Sequence, residues 1–294
     1  MKSILFAVLA MVAVVPLADA QSKWEVLPSW GDLPAGTTWG PASQASTTPD
    51  GQIVIFRREV PHFFVVSPEG KLVKSFGDSK YRLAHGIRVD REGFIWITDN
   101  TDNIVQKLSP DGKVLMTLGK AGSTGDNNSQ ELFDGPADVF VAANGDIFVA
   151  DGYRNSRVVQ FSKDGKFIKK IGGVKGTEPG QFNVPHSVVV DSTGRIIIAD
   201  AENSRIQVFD ASGKFLEQWT GFPAKPRGSL YLAADDTLYV SHVDSESISI
   251  MKNGKIIDSV TAVGLRPHGL TVDRQGNLYV TGPLTQMVKK IVKK

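Results

Sequence analysis

Short apolar runs separated by Asp, Asn and Gly turns recur along almost the whole chain. The best-formed unit runs from Gly180 to Phe209. It opens Gly180-Gln181-Phe182-Asn183-Val184-Pro185-His186, continues apolar to Val190, turns around Gly194, runs to Asp200, and passes Asn203-Ser204-Arg205 into a third run ending at Phe209. Apolar runs of this length bounded by such turns predict consecutive antiparallel strands, and a period of about 40 to 50 residues marks a propeller or a solenoid.

Aligning the turn residue ahead of each second strand gives six copies, at Gly51, Gly93, Gly145, Gly194, Asp236 and Gly276. Six residues further on lie the strand ends Arg57, Asp99, Asp151, Asp200, His242 and Gly282. Five copies then show a tight turn: Glu69-Gly70-Lys71, Asp111-Gly112-Lys113, Asp164-Gly165-Lys166, Ser212-Gly213-Lys214 and Asn253-Gly254-Lys255. Their glycines supply the positive φ that hairpin turns need. The sixth copy stops after a third strand, Met287 to Val292, while Trp24 to Leu27 reads as a strand ahead of the first copy near Gly40. If that N-terminal strand completes the last blade, the ring closes and no sheet edge stays open. The pattern therefore predicts an all-β, six-bladed β-propeller over residues 21–294, with no helix of consequence. An open solenoid would call for capping repeats, and none is seen. The longest connections, Lys120 to Asp134 and Gly173 to Asn183, precede the third and fourth copies. They either wall a pocket at the channel mouth or are tolerated surface insertions.

Eight residues before each aligned turn is the start of the innermost strand, beside the central channel. Its six occupants are Ser43, His85, Ala137, His186, Gly228 and His268. Histidine falls on alternate blades, about 120° apart in a six-fold ring, so three imidazoles converge on one point. The chain has five histidines, and chance rarely puts three at one repeat position. Three His around an open position form a catalytic zinc-type ligand set. A lone histidine here would read as structural, and His62 and His242 are read that way or as solvent-facing.

Asp99, Asp151 and Asp200 are equivalent to one another, which favours a structural role accepting backbone N–H groups. Tyr153, two residues after Asp151, has no aromatic counterpart in the other copies. A metal or arginine nearby can bring such a phenol into the range of acid/base work. Arg58 also departs from the repeat, one residue past a strand end, where a cation can neutralise a carboxylate or oxyanion. Arg57 is its rival.

The formal net charge is +2, with basic and acidic residues interspersed, so no basic face favours nucleic acid. Met1 to Ala20 combines Lys2, an apolar run from Ile4 to Leu17 and Ala18-Asp19-Ala20, the pattern of a secretory signal peptide cleaved near Gln21. That predicts a periplasmic or secreted protein, not held in a membrane after cleavage. There is no cysteine, so an exported chain is held without disulfides and any metal ligands must be His or carboxylate.

The unit opening Gly180-Gln181-Phe182-Asn183-Val184-Pro185 resembles the NHL repeat. More specifically, Phe133-Asp134-Gly135-Pro136-Ala137-Asp138, the stretch from Asp151-Gly152-Tyr153 through Arg157 to Phe161, and Val184-Pro185-His186-Ser187 resemble peptidyl-α-hydroxyglycine α-amidating lyase. The resemblance implies a six-bladed propeller with a catalytic zinc, or another divalent transition metal, on His85, His186 and His268. It places the catalytic tyrosine on Tyr153 and the blade-one arginine on Arg58. The reaction it implies is cleavage of the N–C bond of an α-hydroxyglycine to an amide and glyoxylate, on a peptide or small-molecule substrate. Two positions depart from the family: its second arginine is Ala201 here, and the acidic residue after the third His, associated with a structural calcium, is Gly269. The calcium is thereby in doubt.

Two further readings stand beside the lyase. One is a non-enzymatic NHL-repeat binding propeller, motivated by Ala201 and Gly269. The other is a lactonase-like hydrolase, which needs a carboxylate-rich metal site that the channel positions do not supply. A closed ring needs no partner to hide an edge, so a monomer is expected.

Overall fold

In the computed structural model the described residues are 23–28, 30–78 and 81–294; the signal-peptide reading of residues 1–20 lies outside them. The strands form six four-stranded antiparallel sheets. Blade one holds β2 (Ala42–Thr47), β3 (Ile53–Arg57), β4 (Phe63–Val66) and β5 (Leu72–Phe76). Blade two holds β6 (Ala84–Val89), β7 (Ile95–Asp99), β8 (Ile104–Leu108) and β9 (Val114–Gly119). Blade three is β10 (Pro136–Val141), β11 (Ile147–Asp151), β12 (Arg157–Phe161) and β13 (Phe167–Gly172). Blade four is β14 (Pro185–Val190), β15 (Ile196–Asp200), β16 (Arg205–Phe209) and β17 (Phe215–Trp219). Blade five is β18 (Leu230–Leu232), β19 (Leu238–His242), β20 (Ser247–Lys252) and β21 (Lys255–Thr261).

Blade six takes β22 (Gly269–Val272), β23 (Leu278–Gly282) and β24 (Met287–Lys293) from the C-terminal end and β1 (Trp24–Val26) from the N-terminal end. Trp24 pairs with Lys293 and Val26 with Ile291, which closes the ring as the repeat predicts. All six second strands end where the register places them. Among the described residues the helical content is one 3-10 turn, Ala201–Asn203.

The apolar runs are continuous because each blade is covered on both faces by its neighbours, so both sides of a strand are buried. Val54, Phe56 and Phe63 of blade one pack with Ile87, Ile95 and Leu108 of blade two. The same arrangement recurs around the ring up to blade six, where Trp24 joins Leu270, Val280 and Ile291. The outermost strands are more exposed instead: β5 holds no fully buried residue, because its outer edge meets water.

Candidate functional site

The innermost strands of blades one to four start with a register shift, between Ala42 and Gln44, Ala84 and Ile87, Pro136 and Asp138, and Pro185 and Ser187. A β-bulge leaves its extra residue unpaired and re-aims its side chain. The bulged residues include Ser43, His85, Ala137 and His186. In blades five and six the inner strand starts later than the register predicts, at Leu230 and Gly269, leaving Gly228 and His268 just outside it.

The bulges explain the alternation of histidine with small residues. His85 Nδ1 lies 2.7 Å from the carbonyl oxygen of Ala137, His186 Nδ1 3.1 Å from that of Gly228, and His268 Nδ1 2.8 Å from that of Ser43. Each acceptor holds the same register position one blade further on. A carbonyl can only accept, so each Nδ1 carries the hydrogen and each Nε2 presents a lone pair. The ligand atoms of the three rings lie within 4.8 Å of one another. Burial is the main force lowering the imidazole pKa values, to about 4 for His186 and about 3 for His268, and well below the ordinary range for His85. The three rings are therefore neutral near pH 7. Three neutral donors aimed at one point fit a divalent transition metal.

Tyr153 stands on the turn after β11. Its hydroxyl lies 2.9 Å from His85 Nε2 and 3.1 Å from His186 Nε2, while the residue as a whole is 42% exposed. One phenolic hydrogen cannot satisfy two facing lone pairs, and a cation among the nitrogens removes that conflict. The turn is held by the Tyr153 N–H donating to Gly135 O at 3.1 Å. Gly135 has φ +85°, and a Cβ there would come 2.7 Å from the Tyr153 Cβ, so this contact requires glycine. Burial raises the Tyr153 pKa; the charges of Arg58 and Arg227 oppose that and Glu202 adds to it. Without a metal, Tyr153 is a phenol near pH 7.

Arg58 is the arginine that reaches the site. Its charge acts on Tyr153 and on all three imidazoles, and its Nε lies 3.4 Å from Ala84 O. Arg57 is structural: it donates to Trp39 O and Pro61 O, each at 2.8 Å, pairs with Glu59 and lies over the Phe64 ring.

Asp99, Asp151 and Asp200 take the structural part expected of them. Asp99 accepts from the N–H groups of Leu83, Thr101 and Asp102; Asp151 accepts from Asp134 N–H and pairs with Arg157 at 2.9 Å. Asp200 accepts from Asn183 N–H and pairs with Arg205 at 2.8 Å. His62 and His242 are buried: Nδ1 of His62 meets Arg57 O, and Nε2 of His242 meets Ser249 Oγ. The two long connections brace their own blades, with Leu132 O accepting from Arg157, and Thr177 O and Gln181 O from Arg205.

Four residues at the site were not singled out in the sequence. Glu202 sits two residues past Asp200, as Tyr153 does past Asp151, and the register that located the histidines identifies it. Arg227 and Lys225, just ahead of Gly228, both pair with Glu202. Arg88, three residues past His85, crosses the channel: its Nη2 donates to Asp138 Oδ2 at 2.7 Å and, on the opposite blade, to Leu230 O at 2.7 Å. Beyond this crossing a funnel of about 910 Å³ opens toward the other face, away from the histidines. Gly269 explains the missing acidic residue. A Cβ there would meet Thr281 Oγ1 at 2.3 Å and Gln44 Cα at 2.4 Å, so a carboxylate does not fit.

The NHL repeat matches residues 133–161 and 182–209. A human NHL repeat-containing protein 3 is 31% identical over 267 residues, 83% of this chain and 76% of that protein. A probable peptidyl-alpha-hydroxyglycine alpha-amidating lyase of Caenorhabditis elegans is 32% identical over 232 residues, 74% of this chain and 66% of that protein. Peptidyl-glycine alpha-amidating monooxygenase B of Xenopus laevis is 33% identical over 237 residues, 74% of this chain; the matched part spans 27% of that protein. Among solved structures, a streptogramin B lyase superposes with a TM-score of 0.66 at 13% identity, covering 92% of this chain and 98% of that one, a likeness of fold alone.

Proposed function

The chain belongs to the NHL-repeat propellers, and from that premise we propose that it is a metal-dependent carbon–nitrogen lyase of the α-amidating type. The observation that carries this reading is the convergence of three Nε2 lone pairs with the Tyr153 hydroxyl lying against two of them. Relatives named as α-amidating lyases support the reaction class.

His85, His186 and His268 would hold the metal through Nε2, each fixed by a carbonyl of the next blade. When bound, a divalent transition metal such as zinc supplies Lewis acidity toward the substrate hydroxyl and lowers the pKa of groups beside it. Tyr153, as phenolate, takes the proton from that hydroxyl. The C–O bond becomes a carbonyl, the C–N bond breaks with its electron pair on nitrogen, and nitrogen recovers a proton. An α-hydroxyglycine thus yields an amide and glyoxylate, with atoms in balance and no co-reactant. Arg58, with no carboxylate partner among the described residues, steadies the phenolate and the charge developing on oxygen.

The signal-peptide reading adds that the protein works in the periplasm or outside the cell. No helix among the described residues is long and apolar enough to cross a membrane. The deciding experiment is turnover of α-hydroxyhippurate by metal-loaded protein, followed as glyoxylate release. Release that depends on metal upholds the reading. Metal bound at one equivalent with no release overturns the lyase and leaves a binding propeller.

A further inference from the structure

Even-numbered blades supply the three histidines; the arginines and the tyrosine above them come from odd-numbered blades. Blade one contributes Arg58, blade three Tyr153, and blade five Arg227, which directly precedes Gly228, the residue whose carbonyl orients His186. The Arg227 backbone N–H donates to Lys225 O at 2.8 Å, turning both side chains onto Glu202. Arg227 Nη2 donates to Glu202 Oε1 and Lys225 Nζ to Glu202 Oε2, the latter at 2.7 Å. One carboxylate thus holds two cations and leaves one positive charge in excess at the mouth.

Arg227 has donors to spare. A guanidinium carries five N–H groups, and the Glu202 contact uses Nη2 while the side chain stays 43% exposed. Its charge is felt by both His186 and Tyr153, so it lies within electrostatic reach of the reacting groups. Of the two, Arg58 acts more strongly on Tyr153. The two arginines therefore differ in station: Arg58 beside the phenol, Arg227 at the opening.

We propose that Arg227 is the specificity residue that receives the carboxylate of an anionic substrate, with Glu202 holding its guanidinium in place. An α-hydroxyglycine carries a carboxylate on its reacting carbon, so a planar, two-pronged donor at the rim binds that group equally in the ground state and the transition state. The inference rests on the lyase reading for its substrate. Its chemistry, recognition of a small carboxylate, is tested apart from turnover.

The experiment compares wild-type protein with Arg227→Met and Arg227→Lys, all metal-loaded, on α-hydroxyhippurate and on its uncharged methyl ester. Arg227→Met should raise KM for the acid by about tenfold or more with kcat little changed, the mark of lost uniform binding. It should leave the ester within about threefold, since the ester offers no charge to the guanidinium. Arg227→Lys should recover part of the acid's KM. Equal losses on acid and ester, or no change on either, overturn the proposal. If wild-type protein turns over neither compound, calorimetric titration with hippurate, which keeps the carboxylate but lacks the hydroxyl, decides separately. Hippurate binding that weakens in Arg227→Met upholds Arg227 while the lyase reading falls; binding that is absent, or equal in both proteins, overturns it.

Discussion

The Tyr153 hydroxyl lies 2.9 Å from Nε2 of His85, although the two residues stand 68 positions apart in the chain. A proton-transferring group within hydrogen-bond reach of a proposed metal ligand has the geometry of a general base for a metal-activated hydroxyl. Tyr153→Phe should therefore lower kcat by about 10²- to 10⁴-fold while metal content stays at the wild-type level. Steady-state kinetics and elemental mass spectrometry on the same preparation check both halves, and unchanged kcat would sink the role given to Tyr153.

Metal content comes next. Wild-type protein purified without metal-affinity resin should carry one equivalent of transition metal, and His186→Ala none, since two imidazoles make a poor site where three are aimed at one point. Metal at about 100 times its Kd should add about 2.7 kcal/mol to wild-type stability and nothing to the variant. Melting temperatures with and without zinc measure this. A variant that keeps its metal would show that the ligands lie elsewhere.

Stripped of metal, the protein should lose stability in mild acid. Unfolded imidazoles titrate near 6.5, whereas burial holds folded His186 and His268 at about 4 and about 3. Between those values the unfolded chain binds protons that the folded chain does not, so stability rises with pH. It is fully present above about 6.5 and falls toward pH 4, by about 1.4 kcal/mol per imidazole per pH unit. Urea midpoints across this range should slope upward in chelated wild-type protein and less steeply in His186→Gln or His268→Gln. A flat wild-type profile would contradict the buried, neutral triad.

The register of a repeat makes most of this site legible in the sequence. A propeller places equivalent residues at equivalent depths, so one alignment located the strand ends, the ring closure and three histidines on alternate blades. The same alignment separated Asp99, Asp151 and Asp200, which recur and hold backbone, from Tyr153, which does not recur. Ion pairs between blades follow no such period. The clamp on Glu202 joins two blades through Arg227 and Lys225, which no repeat position marks, and Arg88 reaches Leu230 across the axis. Arg58 and Arg57 are likewise indistinguishable in the repeat, because what separates them is that adjacent residues point to opposite sides of a strand end.

Gly269 should tolerate no side chain. The Cβ of an alanine would come within 2.7 Å of Ser43 O, the carbonyl that orients His268, as well as crowding Thr281 and Gln44. Gly269→Ala should cost about 1–3 kcal/mol through overpacking and loosen metal binding together with it. Denaturation and zinc titration should shift in parallel. A stable variant with wild-type zinc affinity would show that this crowding relaxes without disturbing His268.

The pairing of Trp24 with Lys293 has a consequence for how the site comes into being. His268 is the last of the three histidines to be synthesised, and its blade lacks a strand until the two ends of the chain meet. A partly made chain can assemble four or five blades, but at most two imidazoles stand ready. On the metal reading proposed above, a complete ligand set is thus reserved for a polypeptide whose sixth blade has been made.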